Sequence, residues 1–75
     1  MVMDDSFSIV GLGRDATESE FKSVTRKVML KWHPDRVALR PSGMSEEEFL
    51  NKSHQYTSAL AEVHSYLTAV WETKN

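Results

Sequence analysis

The chain has 75 residues, a net charge of −2, 40% hydrophobic residues and no cysteine. That length allows one small domain, and the missing cysteines exclude disulfide staples and thiolate metal sites, so stability must come from patterned helix packing. No apolar run is long enough to span a bilayer and no basic-then-apolar leader opens the chain, so an intracellular, cytoplasmic protein is the expectation.

The net charge hides a segregation. Residues 1–20 hold five acids against Arg14, and residues 41–75 hold five acids against Lys52 and Lys74. Between them, Lys22, Arg26, Lys27, Lys31, Arg36 and Arg40 stand against Asp35 alone, a local charge of +5. Such a field implies an acidic partner surface of protein, nucleic acid or lipid headgroups.

In chain order, the first predicted element is a short helix over 5–11, with Phe7, Ile9 and Val10 as its apolar content and Gly11 and Gly13 as its stop. The second predicted helix, 18–32, opens with the capping box Thr17-Glu18-Ser19-Glu20. Phe21, Val24, Val28 and Trp32 then form one stripe, edged by Thr25 and Met29, while Lys22, Arg26, Lys27 and Lys31 take the opposite half. Leu30 falls among those bases and is out of pattern. Acid–base pairs four residues apart would stabilise a merely solvated face better, so four bases without an acid favour a docking face.

The helix ends at a tripeptide, His33-Pro34-Asp35. Proline pushes the residue before it out of the α region, so an imidazole and a carboxylate are expected on a turn beside the positive face. Taken alone, such a string reads as an ordinary turn. A loop is expected over 33–45, marked by Pro34, Pro41, Ser42 and Gly43. A second capping box, Ser45 to Glu48, opens a long third helix over 46–72, on which Phe49, Ser53, Tyr56, Leu60, Val63, Leu67 and Val70 make a heptad seam broken only by Ser53. Helices two and three should pack as an antiparallel hairpin with the first helix covering one end and the tripeptide at the tip. The fold class is therefore all-α.

Other signals have plainer readings. His54 and His64 lack a ligand set and read as helix-surface residues; Tyr66 and Trp71 read as capping hydrophobes near the C-terminus. Gly11-Leu12-Gly13 follows no strand and lacks the third glycine of a dinucleotide loop. No nucleophilic triad is arranged, and neither a cofactor nor a metal site is expected.

Two stretches of this sequence resemble a known family, the J domain of the Hsp40 co-chaperones. Asp5 to Thr17 is similar to the family's opening, in which a short helix ends in Leu-Gly-Val and leads to Ala-Thr. Arg26-Lys27-Val28-Met29-Leu30-Lys31-Trp32-His33-Pro34-Asp35-Arg36 follows its Arg-Lys-Leu-Ala-Leu-Lys-Trp-His-Pro-Asp-Arg signature almost without a break. Beyond residue 36 the likeness thins: Ser53 stands for a Phe, Leu60 for a Tyr, and the loop is several residues longer; in the second helix Thr25 likewise stands for a Tyr. The resemblance implies a non-enzymatic domain, expected to be monomeric, that binds an Hsp70 chaperone and stimulates its ATP hydrolysis. His33, Pro34 and Asp35 would meet the junction of nucleotide-binding domain and interdomain linker, and Lys22, Arg26, Lys27, Lys31 and Arg36 the acidic surface of that domain. It implies no small-molecule substrate and no membrane. The stretch given carries no Gly/Phe-rich segment or client-binding domain, so an excised domain or a minimal protein is expected. Two other readings keep the same helices. One is a J-like adaptor that uses the Tyr66–Trp71 end. The other is a basic-face nucleic-acid binder, against which stand the acidic flanks and the lack of aromatics among the bases.

Overall fold

The structure, a computed structural model, describes residues 2–74, with side chains described over 5–73. In chain order it comprises α1 (Val2–Val10), α2 (Glu18–Trp32), a 3-10 segment (Pro34–Leu39) and α3 (Glu46–Lys74), with no strand among the described residues. The architecture is all-α, as the periodicities require.

Helix α1 begins three residues earlier than expected, because nothing in the sequence before Asp5 breaks a helix. It stops where glycine permits: Gly11 takes φ +74°, and the amides of Gly11 and Leu12 both donate to the Phe7 carbonyl at 2.9 and 3.2 Å. A left-handed residue at this place satisfies carbonyls that the helix end would otherwise leave open.

The fully buried residues come from α1, the connection after it, and α3. Phe7, Val10, Ala16, Ala59, Leu60, Val63 and Leu67 form one cluster, with Phe21, Val24, Val28 and Met29 of α2 partly buried against it. The first helix therefore lies along α3 and supplies core, a larger part than covering one end of a hairpin. The Ser6 hydroxyl donates to Glu62 Oε2 at 2.7 Å, and the Phe7 ring meets Tyr66 edge-on at 5.4 Å. The Arg14 guanidinium sits 5.5 Å from both of those rings. Helix α2 has no fully buried residue because only one of its sides has a neighbour.

The pairing of α2 with α3 is antiparallel. Phe21, near the start of α2, lies against His64 and Trp71 late in α3, at 5.2 and 6.1 Å between ring centroids. Trp32, at the end of α2, lies against Phe49 and Tyr56 early in α3, at 5.4 and 5.6 Å. Phe49, Ser53 and Tyr56 share one face of α3, and Ser53, the break in the seam, is 1% exposed. At the other end the Trp71 indole N–H donates to the Ala16 carbonyl at 2.9 Å, tying the end of α3 to the connection before α2.

The segment expected as a loop is largely ordered by its own hydrogen bonds. Arg40 donates from Nε to the Met44 carbonyl at 2.8 Å and from Nη1 to the Val37 carbonyl at 2.9 Å, clamping both ends of the bend. Gly43, at φ +89°, completes a turn closed by Met44 N–H to the Pro41 carbonyl at 3.1 Å. The Ser45 hydroxyl then accepts from the Glu48 amide at 3.1 Å and starts α3.

Candidate functional site

Both ends of α2 are fixed by local chemistry. At its start the Thr17 hydroxyl accepts from the Glu20 amide at 3.1 Å, while the Glu20 carboxylate accepts from the Thr17 amide at 2.9 Å. At its end Pro34 forces His33 to φ −61°, ψ 136°, outside the helical region, although the His33 amide still donates to the Met29 carbonyl at 3.2 Å. Proline's fixed φ and missing N–H then suit it to the first position of the 3-10 segment. His33 is thus the last cap of one helix and the first cap of the next.

The imidazole performs that second capping itself. Its Nδ1 accepts from the Asp35 amide at 3.1 Å, so the neutral ring carries its proton on Nε2. The Asp35 carboxylate lies 3.7 Å from Nδ1, with its side chain 91% exposed against 45% for the imidazole. The tripeptide is a held turn with Nε2 and both carboxylate oxygens available to a partner. Trp32, wedged between Phe49 and Tyr56, fixes the residue immediately before it.

Along α2 the side chains of Lys22, Arg26, Lys27 and Lys31 are exposed, as is Arg36 just past the turn. Among the described residues none of these five forms an ion pair with an acid. Lys31 lies over the Trp32 ring, 5.2 Å from its centroid, which orients that one base. The face is a positive rail leading to the turn. Around the alternative surface, Tyr66 and Trp71 are half-buried and make contacts with Phe7, Phe21 and Ala16.

Two features lie outside the sequence expectations. His64 remains exposed yet its ring lies tilted against Phe21, a contact that only the hairpin register brings about. A groove of about 600 Å³ runs beside the tripeptide, with Met29, Leu30 and Leu39 as its apolar lining. The signal for it was Leu30, the apolar residue out of pattern. Among the described residues no three His, Cys, Asp or Glu are placed to hold a metal ion, and no helix is long and apolar enough to cross a membrane.

Comparison with known proteins gives the family of this arrangement. The chain is 41% identical over 56 residues to the chaperone protein DnaJ of Nitrosomonas europaea, covering 75% of the chain and 15% of that protein. It is 36% identical over 70 residues to DnaJ of Dichelobacter nodosus, covering 88% of the chain and 18% of the relative. Against DnaJ of Thermosipho melanesiensis it is 34% identical over 56 residues, 75% of the chain and 15% of the relative. No protein-family model and no solved structure matches it. An all-α fold of this element order, a His-Pro-Asp turn at the end of a basic helix and these likenesses define a small helical module of one family. The chain is a J domain of the DnaJ (Hsp40) family. It spans about 15–18% of the length of the relatives it matches.

Proposed function

We propose that residues 1–75 act as a single J domain that binds an Hsp70 chaperone in its ATP state and stimulates ATP hydrolysis. The observation that carries this reading is the exposed His33-Pro34-Asp35 turn, fixed by its own hydrogen bond at the end of a helix whose bases have no acid partners among the described residues. In this reading the domain carries out no chemistry, takes no cofactor and acts as a monomer inside the cell. Its effect is allosteric, and an effector of this kind must bind one state of the chaperone better than another. Lys22, Arg26, Lys27, Lys31 and Arg36 draw in an acidic surface of the nucleotide-binding domain, speeding encounter more than they strengthen the final complex. His33, Pro34 and Asp35 then make the few desolvated contacts, where that domain joins the interdomain linker.

The test is a single-turnover ATPase assay with candidate Hsp70 chaperones, comparing the wild type with His33→Gln. Stimulation by the wild type and hydrolysis at the basal rate with the variant are expected. His33 is partly exposed, so the variant should keep the circular dichroism spectrum and urea midpoint of the wild type. Equal stimulation by both proteins, or none by either, would sink the proposal.

A further inference from the structure

Leu30 is 58% exposed in the middle of the basic face, and Leu39, at the end of the 3-10 segment, is 73% exposed. They belong to different elements but line the same two adjoining grooves, of about 600 and 380 Å³, together with Arg36. The larger groove reaches the tripeptide through His33 and Asp35, and the smaller extends to Lys31 and Pro41. Leucines this open add little to the fold, and their apolar area leaves water only when something covers it.

Leu39 is also held in place. The Arg40 amide donates to the Val37 carbonyl at 3.3 Å, and the Arg40 guanidinium bonds the carbonyls of Val37 and Met44. Two short turns joined at Arg36, at φ −96° and ψ 15°, swing the segment back toward α2. The bend after the tripeptide thus presents Leu39 opposite Leu30 without disordering the tip.

We infer that this clamped bend is a second docking element: the groove between Leu30 and Leu39 receives a bulky aliphatic side chain from an acid-bearing segment of the Hsp70 nucleotide-binding domain. The inference rests on the co-chaperone reading above and adds to it an apolar contact supplied by the bend after Arg36. Charge selects the occupant. Arg26, Lys31 and Arg36 rim the leucines, so an acidic segment is attracted along the whole approach. A second copy docking through the same face would bring those three cations against their own kind.

The experiment measures the Kd of wild type, Leu39→Ser, Leu30→Gln, Arg40→Ala and His33→Gln for an Hsp70 that responds in the ATPase assay, with ATP bound, at low and high ionic strength. Leu39→Ser and Leu30→Gln should each raise Kd about tenfold, the loss expected for one buried leucine contact. Neither removes a charge, so the dependence of Kd on salt should stay that of the wild type. Arg40→Ala, which keeps both leucines but frees the bend, should weaken binding in the same direction. Circular dichroism and urea midpoints check that all variants fold. Unchanged affinity in both leucine variants alongside a defective His33→Gln overturns this inference and leaves the co-chaperone reading standing. If wild type and His33→Gln behave alike with every Hsp70 tried, that reading falls and takes the docking element with it. Concentration-dependent dimers in sedimentation, or capture by anionic vesicles, that disappear in Leu39→Ser while Hsp70 affinity is unchanged would reassign the groove and also overturn the inference.

Discussion

Ser53 shows how much one side chain can decide. It is 1% exposed on the face of α3 that also carries Phe49 and Tyr56, and the Trp32 indole lies close to both rings. A bulky residue at 53 would have to be forced into a buried place, and overpacking a filled site costs about 1–3 kcal/mol. Ser53→Phe is therefore expected to lower stability by about that amount in urea unfolding. It should also disturb the turn, since Trp32 precedes His33 directly: the amide resonances of His33, Asp35 and Arg36 should move, although residue 53 is outside the turn. Undiminished stability with unmoved resonances would show that the space is not contested. The place of His33 at the helix end is legible from its neighbour Pro34 alone, but its dual capping role, with Nδ1 accepting from the Asp35 amide, depends on backbone angles that no composition reveals.

Among the elements, α2 carries the greatest local burden. It has no fully buried residue, so tertiary packing supports it less than α3, and its ends matter correspondingly. Removing the Thr17 side chain leaves the Glu20 amide without its acceptor and dissolves the capping box. Thr17→Ala should cost about 1 kcal/mol, read as a fall in the urea midpoint at unchanged m-value. Thr17→Asn, which restores an acceptor, should recover most of it; no difference between the three proteins would mean that the cap is idle. The helix boundaries at Thr17 and Ser45 were legible because capping chemistry is local in sequence. The 3-10 segment was not, because its order comes from Arg40 reaching carbonyls on both sides of the bend, a pattern that reads in sequence as Pro- and Gly-marked loop.

At the scale of the whole molecule, the charge segregation becomes a polarised surface: the bases cluster on α2 and just beyond the turn. Because unpaired surface cations act over about a Debye length, their contribution should appear in encounter more than in residence. The doubly substituted Lys27→Ala, Lys31→Ala protein should lose roughly tenfold in association rate with the proposed Hsp70 partner at low ionic strength, with its dissociation rate little changed. Stopped-flow binding at several salt concentrations measures this, and equal association rates for wild type and variant would refute the steering role. Two exposed leucines within this field give the same surface an apolar centre.

By itself, the sequence determined the helical class, the two capped helix starts, the proline-imposed end of α2, the basic face and the His-Pro-Asp turn. Each of these follows from interactions within a few residues or from a helical period that repeats along the chain. Tertiary structure alone decided that α1 lies along α3 as a source of core, that Trp32 stacks on Tyr56, and that Trp71 bonds back to Ala16. It also decided that Leu30 and Leu39 share a groove. These contacts join residues far apart in the chain or on different elements, so their geometry exists only once the helices have packed and the clamped bend has set its direction.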